Sequence, residues 1–286
     1  MKPIRQTWID YARGISIILV LYRHVFEGLK NSGLAVADYI SLEHANILFF
    51  SFRMPLFFIV SGIFVAGSLQ KRGLKLFVNN KSRTILYPYF LWGIIQITIQ
   101  ILLSGYVNSH RTVHDYVYLL YLPRAIEQFW YLYALFNVSV IYAVSKSVFK
   151  LSAVKNIVIG LIFIYISSWT SRNQISIGFL GDILHYYFFY AIGDLIGRFI
   201  RDKNNIEKLY SWKISALLLI PFIISQVFYL YQNLNNSPKT YDYVENYQPY
   251  IFIIIAITGC AFIISICFLL QKANKIKWLH QLGKHS

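Results

Sequence analysis

The stretch Trp8–Phe26, WIDYARGISIILVLYRHVF, has the apolar density of a membrane helix yet carries Asp10, Arg13, Arg23 and His24. Only nine uncharged residues separate Arg13 from Arg23, whereas a helix crossing hydrocarbon uses about twenty mostly apolar residues. Ionisable groups inside such a segment are expensive in lipid and face a protein interior or a water-filled cavity. Eleven positions separate Arg13 from His24, which on an α-helix leaves them within roughly 20° of one face and about 16 Å apart along the axis. One stripe of this helix is therefore polar from its cytoplasmic end towards its outer half.

The remainder of the chain reads as membrane. Of 286 residues, 57% are hydrophobic and 14% charged, and the mean hydropathy of +0.50 lies far from the mix of a soluble domain. The first apolar run ends in Tyr22, Arg23 and His24 rather than a small-residue cleavage site, so it reads as a retained helix and not a secretory signal. Apolar runs at 9–27, 46–69, 85–105, 129–145, 156–171, 180–197, 214–231 and 249–271 predict an all-α polytopic membrane protein of about eight transmembrane helices.

Loop charges give the orientation, because cytoplasmic loops collect Lys and Arg. Alternate connections, at 2–5, 71–83, 146–155, 198–213 and 272–284, hold 19 basic residues, against five on the other side: Lys30, Arg111, Arg124, Arg172 and Lys239. Both termini are expected to be cytoplasmic. The net charge of +15 follows from this distribution, so no nucleic-acid partner is expected. Cys260 and Cys267, seven apart on one predicted helix, would lie roughly 10 Å apart at Cα, too far for a disulfide. Neither a zinc-ligand spacing, a nucleotide-binding glycine loop nor a Ser, His and Asp triad is present, so no metal is expected.

The candidate functional residues are the charges and polar groups in these apolar runs. Arg13 could reach the cytoplasmic headgroups with Asp10 as its (i, i+3) partner. His24 is suited to accept a proton near neutral pH, and Glu27, three residues on, could orient the ring and stabilise its charged form. A His and Glu pair that only packs helices is the alternative. In the run FFSFRMPLFFIVSGIF, Phe49–Phe64, Arg53 and Pro55 interrupt the predicted second helix near its external end, and the proline is expected to bend or break it. NNKSRTILYPYF, Asn79–Phe90, puts Lys81 and Arg83 at the cytoplasmic mouth of the third helix, where a phosphate-bearing donor would find counter-charges. QFWYLYALF, Gln128–Phe136, opens the fourth helix with Trp130 among interfacial aromatics, His185 is a second intramembrane histidine, and Asp194 with Arg198 reads as an (i, i+4) pair.

Taken together these residues resemble the signatures of the acyltransferase-3 family of integral membrane acyltransferases, which includes O-antigen acetylases and fucose 4-O-acetylase-like enzymes. Asp10, Arg13, Gly14 and His24 match its first-helix pattern, Met54–Phe58 with Ser61 and Gly62 its second, Lys81, Arg83 and Pro88 the entry to its third, and Trp130–Phe136 its fourth. The resemblance covers the first half of the chain, with four short motifs in the family's order. It implies transfer of an acyl group, usually acetyl from acetyl-CoA as the acyl donor with no bound cofactor, to a hydroxyl of a cell-envelope polysaccharide or its lipid-linked precursor, at a bacterial inner membrane.

In that picture Arg13, Arg83 and Lys81 hold the donor, His24 with Glu27 acts on the hydroxyl or the acyl group, and Asp10, Arg53, Ser61, Trp130 and His185 line the cavity. The chain departs from the pattern at Arg23, where the family has a small residue, and at Leu86, where some members carry a second arginine. It ends at LGKHS, Leu282–Ser286, where family members commonly open one more helix. The reading is thus a single domain over residues 1–286, shortened at its C-terminus and lacking the last helix. Two other readings share the intramembrane charges: a transporter or flippase using Arg13, His24 and His185, and an inactive truncated family member.

Overall fold

A computed structural model of the chain describes residues 6–107, 111–200, 203–237 and 240–285. Lys2, Arg5, Arg201 and Lys239 of the loop-charge count, and Ser286, lie outside the described residues. The described chain is helical with no strand. In order, the helices are α1 (Trp8–Asn31), α2 (Ile40–Leu48), α3 (Phe50–Gly62), α4 (Val65–Lys81), α5 (Tyr87–Leu102), α6 (Tyr118–Tyr121) and α7 (Trp130–Ser147). Then follow α8 (Ala153–Arg172), α9 (Phe179–Ile200), α10 (Lys203–Leu209), α11 (Trp212–Asn236), α12 (Tyr243–Tyr247), α13 (Pro249–Ala273) and α14 (Lys277–Lys284).

Five helical stretches are long and apolar enough to cross a membrane: Ile40–Gly62, Val65–Leu102, Ala153–Arg172, Trp212–Asn236 and Pro249–Ala273. The three other predicted spans fall on α1, α7 and α9, which are continuous helices of 24, 18 and 22 residues. The chain is an all-helical, multi-pass membrane protein.

Local sequence sets where these helices stop and bend. Asp10 in the first turn of α1 complements the helix dipole, and Gly33 at φ 85° supplies the left-handed residue just beyond its last turn. Pro249 opens α13, where a missing N–H costs nothing, and Asn274 ends it in the left-handed conformation. The bend expected at Pro55 does not occur there. Phe50–Gly62 runs through the proline as one helix, and the irregularity falls earlier, at Phe49 between α2 and α3. Before α5, Ser82–Leu86 forms a π-helical turn in which the Tyr87 N–H reaches back to the Ser82 carbonyl. That wider turn precedes Pro88, whose missing N–H cannot close an ordinary one.

The chain divides into two compact units, Met1–Val60 with Ile196–Ser286, and Ser61–Leu195. In the first, α1 packs on α13 and α14, and α11 packs on α13. Trp8 stacks on Phe268 with centroids 4.7 Å apart, and Phe222 stacks on Phe262 at 4.5 Å. A Cβ at Gly14 would lie 2.5 Å from the Leu279 carbonyl oxygen, and one at Gly283 would collide with the Asp10 carbonyl, so α1 and α14 meet backbone to backbone.

The second unit is organised by buried polar anchors as much as by apolar contact. Tyr89 donates to the Leu119 carbonyl at 2.7 Å within the cluster it forms with Ile97, Leu119 and Ile126. Asn156, fully buried, accepts from Ser145 and Tyr187 at 2.5 Å each. Asp194 is also fully buried and accepts from Tyr142 at 2.9 Å and from Lys146. The (i, i+4) pairing of Asp194 with Arg198 gives way to these two partners, because Asp194 points into the packed interior while Arg198 is exposed.

Candidate active site

Because α1 is one uninterrupted helix, Arg13 and His24 keep the spacing read from the sequence, and both are half-buried. Arg13 interacts within the fold. Asp10 has a partner on another helix: its carboxylate, 4% exposed, lies 3.1 Å from Nε2 of His280 on α14. The N-terminal end of α1 is fastened to the C-terminal segment at two more points. Tyr11 donates to the Lys275 carbonyl at 2.6 Å, and the Trp8 N–H donates to Oε1 of Gln271 at 2.7 Å. The C-terminal segment itself forms α14, which covers Leu282–Lys284 and is amphipathic, with Leu279 and Gly283 turned inward.

Towards the C-terminal end of α1, the charges that act on His24 are Arg23, Arg53 and Glu27. Among the described residues no hydrogen bond joins His24 to Glu27. Instead Oε1 of Glu27 accepts from Nδ2 of Asn46 on α2 at 3.3 Å, so α2 rather than the histidine orients this carboxylate. Arg23, which the sequence left unplaced, lies over the Phe50 ring with its guanidinium carbon 4.8 Å from the centroid. Arg53 lies over the same ring at 4.9 Å and is only 3% exposed. A cation held against an aromatic face is favoured by the ring quadrupole, and arginine's flat guanidinium suits the contact. Two positive charges are thereby fixed beside the histidine.

Arg23, Glu27 and Phe50, but neither His24 nor Arg53, line a cavity of about 150 Å³ together with Lys30, Asn46, Ile47, Thr240 and Tyr241. Tyr241 has φ 58°, a strained setting for a non-glycine residue, and its hydroxyl donates to Glu43 of α2. Burial and the Glu43 carboxylate both push the Tyr241 phenol pKa up, so it stays a donor. Sequence reading missed Asn46, Phe50 and Tyr241. Only the interruption of the apolar run around residue 46 hinted at the first, and the long polar stretch at 232–248 at the last.

The other expected site residues belong to the second unit. Lys81 lies 5.7 Å over the Phe77 ring, and Arg83 is exposed within the π-helical turn, a feature common at functional positions. Ser61 is half-buried, and a Cβ on the adjacent Gly62 would collide with the Tyr190 carbonyl, so this Ser-Gly pair admits a close helix crossing. Trp130 carries Arg124 over its ring at 4.3 Å and lies 5.7 Å from Tyr186, which in turn contacts His185 at 4.7 Å. Nε of Arg124 also bonds Oδ1 of buried Asp182 at 2.7 Å. Arg124, counted as a loop charge, is thus part of the Trp130 and His185 cluster, which it enters from the 3₁₀ turn Pro123–Phe129.

In the first unit, a histidine with fixed charges beside it and a polar cavity lined by its neighbours Arg23 and Glu27 can support proton transfer at a bound hydroxyl. No solved structure matches the chain. Over 227 residues it is 26% identical to the nodulation protein NolL of Mesorhizobium japonicum, an alignment that takes in 77% of this chain and 55% of the relative. The chain thus spans about half the length of that curated relative. Residues 6–286 match the family described as "Acyltransferase domain", and with a match of that extent the chain belongs to the acyltransferase-3 family of integral membrane acyltransferases.

Proposed function

We propose that the protein is an O-acyltransferase of the bacterial inner membrane that moves acetyl from acetyl-CoA to a sugar hydroxyl of a cell-envelope polysaccharide or its lipid-linked precursor. The observation that carries this reading is the placing of Arg13 and His24 on one face of one unbroken helix. Their separation of about 16 Å is comparable with the reach of an extended pantetheine arm. A cation at the inner end can hold the donor's phosphates while the thioester reaches the histidine.

In this mechanism neutral His24 accepts the proton of the acceptor hydroxyl as its oxygen attacks the thioester carbonyl. The tetrahedral adduct collapses to the ester and expels the CoA thiolate, which takes up the proton. Arg23 and Arg53 favour the anionic adduct. Glu27 offsets part of that charge once the imidazolium forms. Arg13 is assigned to the donor, and Lys81 and Arg83 keep that assignment on the sequence pattern alone.

The test uses purified full-length protein in detergent with acetyl-CoA labelled in the acetyl group and an envelope glycan extract. His24→Ala should abolish glycan labelling while the protein stays monodisperse. Arg13→Ala should raise the apparent KM for acetyl-CoA by tenfold or more with a smaller effect on turnover. Labelling that survives His24→Ala, or an unchanged donor KM in Arg13→Ala, overturns the corresponding assignment.

A further inference from the structure

The cavity lined by Arg23 and Glu27, near neighbours of His24 along α1, also presents Asn46 and Lys30, which the transfer chemistry does not use. Its acceptor side consists of Glu27 and Asn46. Asn46 is 3% exposed, and donation from its Nδ2 to Glu27 fixes which way the amide points, since a flipped amide would set two oxygens against each other. Its Oδ1 then accepts no hydrogen bond among the described residues. A buried acceptor left in that state is satisfied when a ligand or water brings a donor.

The cationic side consists of Arg23 and Lys30. Neither forms an ion pair among the described residues. Arg23 is held on Phe50, which fixes its plane without neutralising its charge. Glu27, between the two cations on the same stripe of α1, offsets only one of them, and its carboxylate accepts from Asn46. Acceptor atoms beside a net positive charge match a ligand that carries hydroxyl donors next to an anionic group. The cavity's volume of about 150 Å³ is on the scale of one pyranose ring.

We propose that this cleft is the acceptor subsite and that it selects a sugar bearing a carboxylate or phosphate: Arg23 and Lys30 take the anion, and Asn46 Oδ1 takes a ring hydroxyl. The inference rests on the reading of the protein as an O-acyltransferase for the term "acceptor", but the binding specificity itself does not.

The experiment measures binding without donor, by saturation-transfer NMR on the full-length protein in detergent. The probes are methyl glucuronide, glucose 1-phosphate and methyl glucoside. At least one anionic probe should bind tenfold or more tightly than the neutral glucoside, and the preference should shrink as salt is raised. The tighter of the two identifies the anion. Arg23→Gln and Lys30→Gln should each remove several-fold of the preference, Arg23→Lys should retain most of it, and Asn46→Leu should weaken all three probes. Equal binding of charged and neutral sugars, or a preference that survives Arg23→Gln together with Lys30→Gln, overturns the proposal. When labelled acetyl-CoA is then added, a protein that binds anionic sugars but transfers nothing refutes the enzymatic reading alone. One that acetylates neutral sugars as readily refutes the selectivity alone.

Discussion

Nε2 of His280 lies 3.1 Å from the Asp10 carboxylate, so a residue near the end of the chain answers the acid in the first turn of α1. His280 is 22% exposed at its side chain and Asp10 is 4% exposed. Removing the histidine takes one partner from a poorly solvated carboxylate. His280→Ala should therefore lower stability by up to about 1–3 kcal/mol, the range for a buried polar group that loses a partner. Adding Asp10→Asn should recover part of that loss, because a neutral amide is easier to bury than a carboxylate with fewer partners. Thermal unfolding of the detergent-solubilised protein checks both. If the single and double variants melt together, the pair is not coupled.

The close crossing of α1 and α14 gives a steric prediction. A Cβ at Gly283 collides with the Asp10 carbonyl, and backbone cannot step aside as a flexible side chain can. Gly283→Val should displace α14 and expose the 274–285 segment to protease. Gly28→Ala, in the same helix α1 but with nothing within 4 Å of the added methyl, is the matched control. It should leave cleavage unchanged and stabilise the helix by up to about 1 kcal/mol.

What was legible in the sequence was what hydropathy and helical periodicity encode. The eight predicted apolar runs fall mainly on helix, although 46–69 crosses turns at Phe49 and Ile63–Phe64 and spreads over α2, α3 and α4, and the spacing of Arg13 and His24 survives because α1 has no break. Partners far apart in sequence were not legible. Asp194 has Arg198 four residues away, and local pairing is the only kind periodicity can propose. The fold instead brings up Lys146, 48 residues distant. Asn46 and Tyr241 were missed for the same reason, since each acquires its role from α1 and α2 neighbours that no local pattern links. The short helix α14 escaped because its eight residues are polar on average and carry no spanning signal.

Arg124 joins two interactions that can be separated by substitution. It bonds Asp182 through Nε and covers the Trp130 ring. Lysine can keep the charge but not the planar stack. Arg124→Lys should therefore destabilise by about 1 kcal/mol, in line with the loss of a cation–π contact, and Arg124→Gln should cost more because Asp182, 4% exposed, also loses its cation. Trp130 fluorescence should shift in both variants, with the larger drop in melting temperature for Arg124→Gln. Equal drops would mean that the carboxylate contact contributes nothing beyond the stack.

The Lys146 and Asp194 pair gives the sharpest thermodynamic test in the second unit. Asp194 is fully buried, and its Oδ2 accepts from both Lys146 and Tyr142. Lys146→Met removes the cation and leaves the carboxylate with Tyr142 alone. Breaking a buried pair from one side costs about 3–5 kcal/mol, whereas replacing both partners with neutral groups of similar size is often nearly neutral. Lys146→Met should thus be strongly destabilising, Asp194→Asn milder because the stem of Lys146, 19% exposed, can carry its charge outward, and the double variant closer to wild type than Lys146→Met. The three melting temperatures with the wild type form a complete cycle. Additive losses would show that the lysine and the aspartate act independently, and Tyr142 would then be the group that keeps Asp194 inside.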